Sequence, residues 1–294
     1  MTILLPGPAV LPPLPAADLH PARGSRPLEV VLVNLMPLKQ ATERQFADLL
    51  DSPGHDVRLR LVVPPGHASR HTPAEHIARH YTPWQEVARR PVDGIIVTGA
   101  PLEHLAFEEV DYWPWFQAMI DWAAAHAGHS LFVCWAGQAM LYHRHGIGKR
   151  RLAAKAFGIH PQTVIDRSHP LMGGLPAEFA GPVSRHTAVD AAAVMGNRAL
   201  NVVAASSRNG LAIVDDPAAR MTAMFNHIEY DARTLHEEYQ RDRAAGRGTA
   251  MPEDYYRHGV LLPPLRAPWR TTGRRIFGNW LSLLAAAGAA RQAA

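Results

Sequence analysis

The stretch SLFVCWAGQAMLYHRHG, residues 130–146, decides the fold, because an apolar run of strand length passes directly into a segment with helical spacing. Cys134 lies at the junction between the two. A strand followed at once by a helix is the basic unit of α/β proteins. In such proteins the reactive groups lie at the carboxyl ends of the strands, which is where the sequence places Cys134.

The segments before this junction repeat the alternation of strand and helix. Predicted strands are LEVVLVNLM (28–36), DVRLRLVV (56–63) and VDGIIVTGA (92–100), and predicted helices are ATERQFADLLDS (41–52) and DYWPWFQAMIDWAAAHA (111–127). Strands that alternate with helices predict parallel pairing with right-handed crossovers. We therefore expect an α/β fold with a doubly wound, mostly parallel sheet flanked by helices.

The pattern changes after the junction, between about residues 160 and 226. Short strands follow one another with turn signals between them: NVVAASS (201–207), LAIVDD (211–216) and RMTAMFN (220–226). They predict an antiparallel extension of the sheet. Helices are predicted in YDARTLHEEYQRDRAAG, ending at Gly246, and in RTTGRRIFGNWLSLLAAAG near the end of the chain. The expected organisation is an irregular, proline-rich arm (1–27), a single catalytic domain (28–288) and a frayed tail (289–294).

The composition narrows the possible functions. The chain has 294 residues, 47% of them hydrophobic, enough to bury a large core. Its single cysteine excludes an internal disulfide framework and a cysteine-rich metal site. The net charge of +4 comes from basic residues spread among 26 acidic ones, which does not favour nucleic-acid binding. Because no apolar run reaches the roughly 18 residues of a membrane span, we expect a cytoplasmic protein.

Cys134 is the candidate nucleophile. A sulfur at the start of a helix lies near free N–H groups and the positive end of the helix dipole, which favour a thiolate. Those N–H groups, near residues 134–135, could also hold a developing oxyanion. The alternative is that Cys134 is simply the last buried residue of a strand, and the segment alone gives the two interpretations equal weight.

A thiolate nucleophile needs a base, and MFNHIEYD (224–231) offers one. On a regular strand, His227 and Glu229 would project from the same face. Glu229 could then orient the imidazole of His227, which would take the proton of Cys134. The alternative for the pair is a surface ion pair without a role.

Taken together, these segments resemble the homoserine O-acyltransferases of methionine synthesis. The resemblance runs from about residue 28 to 280 and is carried by VNLMP (33–37), TERQF (42–46), VTGAPLE (97–103), LFVCWAGQA (131–139), VSRH (183–186) and HIEYDARTL (227–235). It implies a fold like that of class I glutamine amidotransferases. It also implies that Cys134 carries the acyl thioester, His227 is the base and Glu229 orients it.

The resemblance assigns the substrate contacts as well. Lys155, Ser184 and Arg241 match the amino-acid contacts of the family, and Lys39 matches a lysine near the acyl-CoA. Without the resemblance, Arg241 would be interpreted as a helix residue paired with Glu237 or Glu238. Only three of the 30 Lys and Arg residues are lysines, and the third, Lys149, has no counterpart and is expected at the surface.

Glu103 bears on the acyl group. In the family, Glu at this position accompanies acetyl-CoA and Gly accompanies succinyl-CoA. The physics agrees, because a carboxylate in the pocket fills space and repels the free carboxylate of a succinyl group. The alternative is that Glu103 points outward and plays no part.

The function implied by the resemblance is homoserine O-acetyltransferase, with ping-pong kinetics, acetyl-CoA and homoserine as substrates, no metal or cofactor, and a homodimer. Succinyl-CoA as donor stays open. So does serine as acceptor, because Leu38, Asn226 and Ile228 replace the family's usual Lys, Gly and Pro. Two other classes are a glutamine amidotransferase-type hydrolase and a binding protein that has lost the chemistry. The first usually has glycines beside its nucleophile, and the intact set of Cys134, His227 and Glu229 disfavours the second.

Overall fold

The computed structural model describes residues 3–4, 26–67, 69, 71–256, 261–264 and 266–293. The strands in this part of the chain are β1 (Ile3–Leu4), β2 (Leu28–Val33), β3 (Val57–Val62), β4 (Val92–Val97), β5 (Ala127–Val133), β6 (Lys149–Val164), β7 (Glu178–Val189), β8 (Asn201–Ser206), β9 (Gly210–Asp216) and β10 (Met221–Met224). The α-helices are α1 (Lys39–Leu50), α2 (Ala74–His80), α3 (Trp84–Val87), α4 (Trp113–His126), α5 (Trp135–His145), α6 (Ala191–Gly196), α7 (Thr234–Ala244) and α8 (Trp269–Ala293).

The strands form one sheet in the order β1-β3-β2-β4-β5-β10-β9-β8-β6-β7. Pairing is parallel from β1 as far as β10 and antiparallel from β10 to β7. This confirms the predicted α/β fold with an antiparallel extension. β5 lies at the centre of the sheet, between β4 and β10, and runs parallel to both. The carboxyl ends of these three strands therefore lie side by side.

Two apolar layers cover the two faces of the sheet. In β2, Val31 and Val33 point into one layer and Val30 and Leu32 into the other, so the strand is buried on both faces, as its continuous apolar run predicts. Helices α4 and α5 contribute to the first layer and α1 and α8 to the second. Each fully buried large apolar side chain contributes about 1.5–3 kcal/mol, which fixes the position of β5 and of the helix that follows it.

The ends of the chain bear on the predicted domain boundaries. Most of the predicted irregular arm, 1–27, lies outside the described residues, although Ile3–Leu4 pairs with β3 in parallel as β1. At the other end α8 continues to Ala293, past the boundary at 288 that the sequence suggested. In the described part of the chain, no helix is both long and apolar enough to cross a membrane.

A buried cluster of polar side chains lies inside the second layer, away from the end of β5. The indole N–H of Trp280 donates to Nδ1 of His129 at 3.1 Å. The carboxylate of Asp215 accepts from Thr222 at 2.7 Å and lies 3.4 Å from Nε2 of His169 and 4.0 Å from Nε2 of His129. Burial lowers the pKa of His129 to about 4, although Asp215 opposes the shift. His129 is therefore neutral in the folded protein at neutral pH.

We expect this histidine to make the fold sensitive to acid. Because the unfolded chain takes up the proton near pH 6.5 and the folded chain only near pH 4, stability falls as the pH drops through that window. Urea unfolding at several pH values between 7 and 4 measures the slope. The loss should be smaller in His129→Gln, which cannot take the proton. Equal slopes in the two proteins would contradict the assignment.

Candidate active site

The nucleophile stands on a sharp turn between β5 and α5. Cys134 has φ 51° and ψ −114°, a left-handed conformation that a residue with a side chain rarely adopts. Its N–H donates to the carbonyl of Met224 at the end of β10, at 2.7 Å. Strain of this kind costs about 1–3 kcal/mol and persists only where the surroundings hold it. The predicted junction of strand, cysteine and helix is confirmed.

The same hydrogen bond corrects one expectation about the oxyanion. The Cys134 N–H is already bonded to Met224 and is not free for a substrate oxygen. Within α5 the first helical hydrogen bond runs from Gln138 N to Cys134 O, 3.2 Å. The N–H groups of Trp135, Ala136 and Gly137 therefore have no partner within the helix and lie at its positive end.

His227 and Glu229 meet, but not on a strand. β10 ends at Met224, and the next residues form a turn in which Tyr230 N bonds to His227 O at 3.1 Å. The strand predicted for HIE is wrong because the chain leaves β10 here and His227 N bonds instead to Pro182 O on β7, 2.8 Å. Nδ1 of His227 nevertheless donates to Oε1 of Glu229 at 2.6 Å, with both side chains buried.

The other side of the imidazole meets the sulfur. Burial would lower the pKa of His227, but the charges of Glu229 and Cys134, with hydrogen bonds to both, raise that pKa well above 6.5. Gly99 shows how close the groups are, because a Cβ there would lie 3.3 Å from Cys134 Cβ and 3.6 Å from His227 Cε1. Residues 93 positions apart in the chain thus form one line of sulfur, imidazole and carboxylate.

A second polar group lies beside this line, between β6, β7 and α7. Ser184 donates to Oε2 of Glu238 at 2.5 Å, and Tyr230 donates to Oε1 of the same carboxylate at 2.7 Å. The ammonium of Lys155 lies 3.0 Å from Asp242 and 3.5 Å from Glu238. Tyr230 joins this group to the imidazole, since its ring stacks on His227 with centroids 4.3 Å apart.

Arg241 binds its own neighbour. Its Nε and NH2 groups donate to Oδ1 of Asp242 at 3.0 and 2.8 Å, rather than to Glu237 or Glu238. Burial raises the pKa of Asp242, but hydrogen bonds from Arg241 and Lys155 outweigh it and bring the pKa to about 2. The Arg241 side chain stays 54% exposed, so it can still turn toward a ligand.

Four residues in or beside the site were not foreseen: Tyr230, Arg185, Glu238 and Asp242. Arg185 is almost fully buried, donates to the carbonyls of Thr187 and Asn209 at 3.0 and 2.6 Å, and leaves its Nε without a partner. Burial lowers the pKa of Arg185, and the charge of Cys134 acts against that shift. A signal existed in VSRH, where Arg185 adjoins the predicted Ser184.

The remaining predicted residues, Lys39 and Glu103, lie near the loops that follow β2 and β4. Lys39 is buried, and its ammonium donates to the carbonyls of Asn34 and Met36 at 2.8 and 3.2 Å; burial lowers its pKa to about 8. Glu103 is half-buried in the loop after β4, and its charge acts on His186 and Lys149. Lys149 is not the surface residue we expected, since it too is half-buried.

Among the residues that the structure describes, no group of three or more His, Cys, Asp or Glu side chains could hold a metal ion. The site contains the sulfur of Cys134, the imidazole of His227 and the carboxylate of Glu229, with the charged side chains of β6 and α7 on one side. Such a set suits nucleophilic catalysis through a thioester.

Solved structures match the fold. A glutamine amidotransferase from Thermotoga maritima has a TM-score of 0.58 at 12% identity and covers 90% of this chain and 99% of its own. A glutamine amidotransferase from Methylobacillus flagellatus has a TM-score of 0.56 at 13% identity, covering 89% and 94%. At these identities the likeness shows the fold alone, which is that of the glutamine amidotransferases.

Sequence relatives are more specific. Proteins named homoserine O-acetyltransferase from Brucella canis, Brucella suis and Brucella abortus are each 41% identical over 257 residues, which is 87% of this chain and 84% of theirs. The model of the family described as homoserine O-succinyltransferase matches residues 17–289. With the fold, the nucleophile turn and these matches in agreement, the chain belongs to the homoserine O-succinyltransferase family, a family of acyltransferases.

Proposed function

We propose that this protein moves an acetyl group from acetyl-CoA, through a thioester on Cys134, to the hydroxyl of homoserine. The observation that carries the proposal is the buried line of Cys134, His227 and Glu229 at the end of β5. Family membership supports acyl transfer, and the Brucella relatives support homoserine and an acetyl donor.

The first half-reaction forms the thioester. The imidazolium of His227 favours the Cys134 thiolate, which attacks the carbonyl carbon of acetyl-CoA. The oxyanion is held by the free N–H groups at the start of α5. As the carbon–sulfur bond to CoA breaks, His227 gives its proton to the departing CoA thiolate. The acetyl group stays on Cys134 and the imidazole is left neutral.

The second half-reaction delivers the acetyl group. Neutral His227 removes the proton of the homoserine hydroxyl while the oxygen attacks the thioester. This proton transfer turns His227 back into the imidazolium, and collapse of the second tetrahedral intermediate breaks the carbon–sulfur bond and returns the Cys134 thiolate. Glu229 keeps Nδ1 protonated throughout, so that Nε2 faces the reacting atoms.

The polar group on β6, β7 and α7 suits the amino-acid substrate. Arg241 can turn its planar guanidinium from Asp242 to the substrate carboxylate. Glu238, which already accepts hydrogen bonds from Ser184 and Tyr230, offers a negative charge to the substrate ammonium. Lys155 fixes the two acids of α7 in place.

Glu103 supports acetyl over succinyl. Glu103 lies in the loop after β4, and the carboxyl end of β4 lies next to that of β5. A succinyl group would bring a second carboxylate toward that of Glu103, which costs more than an acetyl group does. The homodimer, the cytoplasmic location and a role of Lys39 toward the acyl-CoA stay predictions; light scattering of the purified protein tests the first.

Mass spectrometry tests the proposal directly. After mixing with acetyl-CoA alone, we expect one acetyl group on the peptide that contains Cys134, and its removal when homoserine is added. Serine in place of homoserine tests the acceptor, and glutamine with an ammonia assay tests the hydrolase alternative. Cys134→Ala is the control and should stay unlabelled. No adduct, or an adduct elsewhere, would overturn the proposed mechanism.

A further inference from the structure

Lys149 ties the strand β6 to the loop that carries Glu103. It is the first residue of β6, and its ammonium donates to the carbonyl of Leu105 at 2.7 Å. The same ammonium lies 4.4 Å from the centroid of the Phe107 ring. Both contacts fall within four residues of Glu103, on the segment between β4 and α4.

The other side of this loop rests on the nucleophile helix. The ring of Phe107 lies 5.8 Å from that of Trp135, the residue directly after Cys134, and 4.9 Å from that of Tyr142. The hydroxyl of Tyr142 donates to Glu108 at 2.5 Å. Phe107 is therefore held between α5 and the ammonium of Lys149, and the position of the loop relative to Cys134 depends on both.

The charges around the Lys149 ammonium also favour its contact with this loop. Besides Phe107 and Leu105, the groups that act on Lys149 are the carboxylates of Glu103, Glu108 and Glu109. The amine is half-buried and faces three acids, so it neutralises a loop that would otherwise repel itself.

We propose that Lys149 is a positioning residue for donor choice: it holds the loop 101–110 so that the Glu103 carboxylate stays at the acyl site and rejects a second carboxylate. The inference rests on the proposed function, in which Glu103 disfavours succinyl-CoA. Lys149 itself touches no reacting atom. Its loss should change which acyl-CoA is used more than how fast acetyl transfer runs.

The test compares kcat/KM for acetyl-CoA and succinyl-CoA in Lys149→Met, which keeps the apolar stem and removes the charge and the donor. We expect the acetyl-to-succinyl ratio to fall at least about tenfold, with kcat for acetyl transfer nearly unchanged. Arg150→Met, an exposed neighbour, is the matched control and should keep the ratio. Lys149→Gln, which retains a donor for Leu105, should recover part of it. Thermal unfolding checks that each variant is folded.

Glu103→Gly separates the two levels of the proposal. If Glu103→Gly leaves the ratio unchanged, the proposed role of Glu103 fails, and the role of Lys149 fails with it. If Glu103→Gly lowers the ratio and folded Lys149→Met does not, only the role of Lys149 fails. If both lower it, the double variant should show no further loss, because Lys149 acts through Glu103; additive losses would overturn the proposed route.

Discussion

Replacing Cys134 with glycine should abolish acetyl transfer and yet give a more stable protein than replacing it with alanine. Both variants lack the sulfur, so kcat should fall on the order of 10⁴-fold or more in each. They differ in the backbone: at φ 51° alanine keeps the strain of a side chain in the left-handed region, and glycine does not. The difference in free energy of unfolding should be about 1 kcal/mol in favour of glycine, even though glycine loses more entropy on folding.

Urea unfolding of the two variants at pH 7 measures this difference. The comparison isolates the strain, because neither variant retains the thiol and the two side chains differ by one methyl group. Equal stability, or a more stable alanine variant, would show that the turn is not strained in solution. Acetyl transfer within about tenfold of the wild-type rate in either variant would remove Cys134 from the mechanism.

The central strands of the parallel half, β2, β4 and β5, could be predicted because they are buried on both faces. LEVVLV and VDGIIV are apolar except for Glu29, Asp93 and Gly94, and such runs are typical of parallel strands that are covered on both faces. The hairpin of β6 and β7 was missed for the opposite reason. The first residues of β6, from Lys149 onward, are partly or fully exposed, so they show no apolar alternation. These residues form a strand because they pair with β7, and no local apolar pattern indicates it.

Within the candidate site, too, some residues could be predicted from local patterns and others could not. Cys134 could be found because a turn from strand to helix has a local pattern, and His227 with Glu229 because they are two residues apart. Asp242 and Glu238 looked like the solvent side of α7; their partners Lys155 and Ser184 lie more than 50 positions away and are brought there by the β6–β7 hairpin. Lys149 was missed because its partner is a backbone carbonyl, which no residue type reveals.

Glu229→Gln should lower kcat/KM about 10²- to 10⁴-fold while Cys134 remains in place. The amide of glutamine has no charge, so the largest influence that raises the pKa of His227 is lost and the pKa falls. The imidazolium that favours the thiolate then forms only at lower pH. Alkylation of Cys134 by iodoacetamide near pH 6–7 should therefore slow. In the pH profile of acetyl transfer, the decline on the alkaline side should begin at a lower pH than in the wild type.

Glu238→Gln is the matched control, because Glu238 is a partly buried carboxylate of the site that bonds to Ser184 and Tyr230 rather than to the imidazole. It should raise KM for the amino acid and leave the alkylation rate of Cys134 close to that of the wild type. A Glu229→Gln variant that alkylates as fast as the wild type would mean that Glu229 orients the ring without charging it. If both variants slow alkylation equally, the effect is one of general packing. The pH dependence of alkylation therefore distinguishes an electrostatic role of Glu229 from a structural one, which loss of activity alone cannot do.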